Sequence, residues 1–196
     1  MEYRVISPAT VTLSERAHVG RGALIYPCNA VLGESDIGEG CVLYPGNVVQ
    51  NSEAGKNCEL TSSVLEGAKV GAGCKVGPFA HLRPGAQVGE NCRIGNFVEI
   101  KNARIGSGTK IAHLTYVGDA EIGENCNIGC GVVFCNYDGK KKEPHRRGQK
   151  LFYRQQRQPR RARRDRRGQL HSRGHDRYPL RPAALLRHRQ EPPELR

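Results

Sequence analysis

An all-β fold, a solenoid of short parallel strands, is what this sequence predicts, and three observations carry the prediction. An aliphatic residue recurs every six positions through most of the first two thirds of the chain. Glycine follows that aliphatic residue again and again. Large side chains are scarce, with no tryptophan, 6% aromatic residues and 24 glycines in 196 residues. A helical bundle would need the large side chains, and its 3.6-residue period is missing.

The period runs through Val19, Ile25, Val31, Ile37, Leu43 and Val49. After some five-residue slips it resumes as Val70, Val76, Leu82, Val88, Ile94 and Ile100, then Ile105, Ile111 and Val117, then Ile122, Ile128 and Phe134. Six residues fit a short strand plus a turn. One inward aliphatic per strand fills the axis, and glycine accepts the backbone angles of the corner. Three such units close one triangular coil, so the sequence predicts six to seven coils between Ser7 and about Tyr137.

Charge divides the chain in two. Residues 1–142 hold 14 basic and 14 acidic residues, whereas residues 143–196 hold 17 and 5, the whole net excess of +12. The predicted organisation is therefore a β-helix over 1–142 and a disordered, Arg-rich tail over 143–196. The eight cysteines all lie in the body, with no signal peptide ahead of them. That usage suits a reducing, cytoplasmic setting better than a disulfide framework. Asn57-Cys58, Asn91-Cys92 and Asn125-Cys126 recur at one place in the repeat and predict a structural slot. Cys126, Cys130 and Cys135 lack a paired C-x-x-C and a nearby His, so no metal is expected. No stretch has the roughly 20 apolar residues of a membrane span.

Between Gly77 and Gly139 polar residues interrupt the repeat in four strings: GPFAHLRPGAQVG, GNFVEIKNARIG, IAHLTYVGDAEIG and NIGCGVVFCNYDGK. In this order and spacing they resemble the acetyltransferase domain of the bifunctional N-acetylglucosamine-1-phosphate uridyltransferase/glucosamine-1-phosphate acetyltransferase family, over roughly Tyr3 to Lys142. That resemblance implies a left-handed parallel β-helix, a homotrimer with sites between subunits, and transfer of acetyl from acetyl-CoA to the amine of glucosamine 1-phosphate, in UDP-N-acetylglucosamine synthesis for cell-wall precursors. It also implies site residues. His113 matches the catalytic base, and an imidazole titrates in the range needed to take a proton from the sugar amine. Arg83 and Lys101 match positions that hold the phosphorylated sugar, and a guanidinium with an ammonium suits a phosphate dianion. Tyr116 and Asn127 match the remaining sugar positions. Cys130, Asn136 and Tyr137 match acetyl-CoA contacts; Cys130 stands where the family has Ala, at a position acting through its backbone N–H on the thioester oxygen.

Two departures from the family bear on activity. The nucleotide-binding loop of the uridyltransferase is not found ahead of the helix, so this chain is not expected to make the UDP-sugar. From Glu143 the repeat stops, where the family continues for several coils. Regrouping the degenerate codons of Arg146 through Gln169 by one base permits Val-Val-Gly-Lys-Asn-Cys-Phe-Ile-Gly-Ser and then Asn-Val-Asn-Leu-Val-Ala-Pro-Val-Glu-Ile-Gly-Glu-Gly. That restores the six-residue period. A frameshift at Lys140-Lys141-Lys142 is the resulting expectation, with impaired turnover as its consequence. The alternative is a noncatalytic β-helix whose genuine basic tail binds nucleic acid. A zinc-dependent carbonic anhydrase on such a helix needs three His ligands, and His18, His81 and His113 stand in unrelated contexts.

Overall fold

The computed structural model describes residues 2–134; the predicted 143–196 tail, its boundary, Asn136 and Tyr137 lie outside the described residues. Apart from one 3-10 turn at Pro8–Thr10, its elements are β-strands, most only two or three residues long. Every pairing is parallel, and each strand pairs with the strands one coil before and one coil after it. The result is a parallel β-solenoid with three faces. The first runs from Arg4–Val5 through Leu24–Ile25, Val42–Leu43, Glu59–Leu60 and Lys75–Val76 to Asn127–Ile128. The second runs from Thr12–Leu13 through Ala30–Leu32, Val48–Gln50, Val64–Glu66 and His81–Leu82 to Val133–Phe134. The third runs from His18–Val19 to Glu121–Ile122.

The first and second faces each have eight rungs and the third has seven, more than the six to seven coils the period predicts. Two causes account for the difference. The first strand, Arg4–Val5, lies before Ser7 and pairs with Leu24–Ile25. The five-residue slips also shorten several coils, so that Leu43 pairs with Leu60, and Leu60 with Val76.

The six-residue columns point inward. From Ile25 to Phe134 the periodic aliphatics are buried, and Val19 packs against them partly buried. Burial of each such side chain contributes about 1.5–3 kcal/mol, so the stack is held by many equal steps. Small residues fill the corners between these columns. Cys41, Cys58, Cys74, Cys92, Thr109 and Cys126 make one corner column, all buried, which places the Asn-Cys repeats in a structural slot. Asn29, Asn47 and Ser63 make another. There the Asn47 side-chain amide donates to Asn29 Oδ1 at 2.9 Å, and the Ser63 N–H donates to Asn47 Oδ1 at 3.0 Å. No buried side-chain polar atom among the described residues is left without a partner.

Just outside the thiol column the chain turns through positive φ at Gly22, Gly40, Asn57, Gly73, Asn91, Gly108 and Asn125. Glycine and asparagine are the residues that tolerate this left-handed region. The alternation has a steric reason: the amide of Asn57, Asn91 or Asn125 occupies the space where a Cβ would sit on Gly40, Gly73 or Gly108 one rung earlier. Among the described residues no helix is long and apolar enough to cross a membrane.

Candidate active site

Alternate residues of a strand face outward. On the second face, register sets His81 beside Val64 and Glu99, and Tyr116 beside Glu99 and Val133. In the neighbouring outward column Lys101 pairs with Gly118, and the Arg83 N–H donates to the Ile100 carbonyl, placing Arg83 one rung from Lys101. Arg83, Lys101 and Tyr116 are thus gathered on one face in three consecutive rungs.

Their charges are set by close neighbours. Arg83 Nη1 donates to Glu99 Oε1 at 2.8 Å, which holds the guanidinium above its usual range. A guanidinium has five N–H donors, so most of this one stays free for a ligand. The Lys101 ammonium makes no ion pair among the described residues. Tyr116 lies half-buried against Gly118, where a Cβ would sit 2.5 Å from its hydroxyl oxygen. Burial first, then the Glu99 and Asp119 carboxylates, raise its phenol above the usual value, with Arg83 opposing.

His113 stands at the corner between the first and second faces. In most coils the chain breaks there, but Arg93–Lys101 and Lys110–Gly118 run through it as continuous nine-residue strands, with Asn96 paired to His113. The corner is fixed by Thr115 Oγ1, which donates to the His113 carbonyl at 2.8 Å. The imidazole is exposed. Cys130 lies one rung on: Ile128 pairs with Ile111 and Val133 with Tyr116, and the spans between are equal. Among the described residues the Cys130 N–H has no hydrogen-bond partner, so it suits a backbone donor.

Beside His113 the same corner carries bulky residues in the left-handed region: Phe79, Phe97 and Leu114, with φ of 59°, 54° and 45°. Earlier coils use Cys28, Gly46 and Ser62 there. Phe79, Phe97 and Leu114 are each 58% exposed, and the phenylalanine rings stack with centroids 5.4 Å apart. Bulky side chains at positive φ cost of order 1–2 kcal/mol each and concentrate at functional sites.

Not every predicted residue joins this group. Asn127 pairs with Lys110 on the first face, around the corner from Arg83, Lys101 and Tyr116. Residues that the motifs did not single out do join it: Glu99, Glu66, His81 and Gly118. A signal for the charged ones exists, because the cross-rung pairs Glu53–Lys69, Glu59–Lys75, Glu66–His81 and Arg83–Glu99 each link positions about one coil apart.

Known proteins resemble this chain in sequence and in fold. The bacterial transferase hexapeptide (six repeats) family matches residues 67–102 and 102–136. The bifunctional protein GlmU of Shouchella clausii (strain KSM-K16) is 49% identical over 138 residues, covering 70% of this chain and 30% of that protein. GlmU of Caldicellulosiruptor saccharolyticus is 51% identical over 126 residues, covering 64% of this chain and 27% of that protein. The chain thus spans under a third of the length of the relatives it matches. Among solved structures, the UDP-N-acetylglucosamine acyltransferase of Arabidopsis superimposes with a TM-score of 0.57 at 19% identity, covering 65% of this chain and 60% of that one, a likeness of fold. Residues 67–136 thus match the bacterial transferase hexapeptide repeats, and about 70% of the chain is similar in sequence to a part of the GlmU proteins.

Proposed function

We propose that this chain is the acetyltransferase portion of a GlmU-type protein, moving acetyl from acetyl-CoA to the amine of glucosamine 1-phosphate. One observation carries the reading: the exposed His113 corner adjoins a face with Arg83 and Lys101 in successive rungs, inside the stretch that is about half identical to GlmU. In this reading Arg83 and Lys101 hold the phosphate, and Tyr116 and Asn127 bind sugar hydroxyls. His113 takes the proton that the amine loses as its nitrogen bonds the acetyl carbon. The carbonyl oxygen gains negative charge beside the Cys130 N–H. The C–S bond then breaks and the CoA thiolate leaves, taking a proton. Asn136 and Tyr137 extend the acetyl-CoA site.

The assembly proposed with this chemistry is a homotrimer of left-handed helices. Two features support the assembly: Asn127 is on a different face from Arg83, Lys101 and Tyr116, which suits a sugar site shared between two copies, and the Phe79-Phe97-Leu114 strip is exposed beside the corner. Free thiols throughout the described residues suit the cytoplasm. Residues 143–196 we read as out of frame, and resequencing the codons of Lys140-Lys141-Lys142 tests that reading.

The decisive assay measures free CoA chromatographically, with acetyl-CoA and glucosamine 1-phosphate supplied to the chain and to His113→Ala. Because the later coils are read as out of frame, turnover is expected to be impaired, and the release that remains should require the sugar phosphate and fall about 100-fold or more in the variant. Equal release from both would remove His113 as the base.

A further inference from the structure

Two carboxylates stand within one rung of the guanidinium on which the proposed phosphate site depends. Glu99 is already hydrogen-bonded to Arg83. Glu66 is the neighbour on the other side, because Val64 and Leu65 pair with His81 and Leu82, which sets Glu66 beside Arg83. Its charge already acts on that guanidinium. If both carboxylates closed on Arg83, its fork would be filled from both sides, and an arriving phosphate dianion would have to displace one of them.

They do not both close on it. Glu66 Oε2 lies 3.1 Å from His81 Nε2, diagonally across the rung from Arg83. His81 is well placed for this contact. It is outward-facing two residues before Arg83, with Val64 on one flank and Glu99 on the other. A ring Nε2–H donates to a carboxylate in either the Nε2-protonated neutral tautomer or the imidazolium, so the contact does not depend on one charge state.

We propose that His81 is a positioning residue of the phosphate subsite, holding the Glu66 carboxylate off Arg83 so that one edge of the guanidinium stays open to the sugar phosphate. The proposal rests on the assignment of Arg83 and Lys101 to the phosphate. It assigns His81 no contact with substrate. Its effect passes through Glu66, and that makes it separable from a structural role: removing Glu66 must cancel the effect of removing His81.

The test compares the wild-type chain with His81→Ala, Glu66→Gln and the double variant. The His81 and Glu66 side chains are 41% and 43% exposed, so the core is untouched. In calorimetric titration with glucosamine 1-phosphate, His81→Ala is expected to bind about three- to tenfold more weakly, the scale of one half-exposed charge contact. Glu66→Gln should bind as well as wild type or better, and the double variant should regain wild-type affinity. A double variant as weak as His81→Ala would overturn the proposal. The nitrogen resonance of Arg83 Nε, followed without ligand, gives an independent reading: it should move in His81→Ala and return in the double variant. An unmoved resonance overturns the proposal whatever the sugar phosphate does. A resonance that responds as expected in a chain that binds no glucosamine 1-phosphate supports the positioning by His81 and overturns the sugar-phosphate assignment.

Discussion

Cys41, Cys58, Cys74, Cys92 and Cys126 are buried, whereas Cys28 and Cys130 are exposed. The interior thiols act as small corner fillers that also satisfy backbone: Cys41, Cys58, Cys74 and Cys92 donate to the carbonyls of Gly55, Gly71, Gly89 and Gly106 at 3.0 to 3.2 Å. Cys41 is pushed well above the ordinary thiol range first by the neighbouring Cys58 thiol and then by burial, and Cys74 first by Cys58, next by Cys92 and then by burial. A thiol-specific reagent at neutral pH should therefore label Cys28 and Cys130 rapidly in the native chain. The five buried thiols should react only as fast as the coils open. Peptide mapping of labelled cysteines checks this, and prompt labelling of Cys58 or Cys74 would contradict an interior column. At this scale the motifs exposed His113, Arg83, Lys101 and Tyr116 as candidates, because those residues lie in strings too varied for corner filler. Glu99 and His81 were not singled out because their partners lie about one coil away in sequence, a spacing whose meaning depends on knowing the register.

The corners are the elements that set the solenoid apart from an ordinary sheet. Where Asn takes the left-handed turn the sequence announces it, since the Asn-Cys pairs recur on schedule. The Gly after the aliphatic residue has a different cause from the corner angles first expected: Gly20, Gly38, Gly71, Gly89 and Gly106 are not in the left-handed region, and a Cβ on each would sit 2.5 to 2.7 Å from the backbone of the next rung. Phe79, Phe97 and Leu114 gave no such sign, because bulky apolar residues ordinarily avoid positive φ. Their exposure in the coils that hold the candidate site points to a covering surface. Phe97→Asn isolates that role, since Asn accepts the left-handed region while removing the ring. Sedimentation equilibrium should show a homotrimer for the wild-type chain, and an association weakened about tenfold or more for the variant with unchanged circular dichroism. An unchanged association constant would detach the strip from assembly.

At the scale of the molecule, each coil contacts only its neighbours, so stability is close to a sum of equal steps. Removal of residues 43–59 takes out one whole turn and sets Leu60 where Leu43 stood, leaving every inward column continuous. That variant should fold cooperatively, with a thermal midpoint lower by a few degrees. Deletion of Ser52 alone breaks the register at the following corner and should abolish cooperative unfolding. Calorimetry distinguishes the two, and equal damage from both would mean that the coils are not modular. The period made the architecture legible but not the number of coils, which depends on five-residue sides that blur a strict count of six.

The strands Arg93–Lys101 and Lys110–Gly118 have one more consequence. Their parallel pairing continues from Ile94 with Ile111, through Asn96 with His113, to Ile100 with Val117. Elsewhere the corner between these faces is a gap between two short strands. Here Asn96–His113 and Val98–Thr115 carry the pairing through the corner and tie the two faces together. Rigid strand scaffolds hold functional groups more tightly than loops do. Substrate analogues that differ in size at this corner are therefore expected to differ in affinity without a change in the strand pairing of Arg93–Lys101 and Lys110–Gly118.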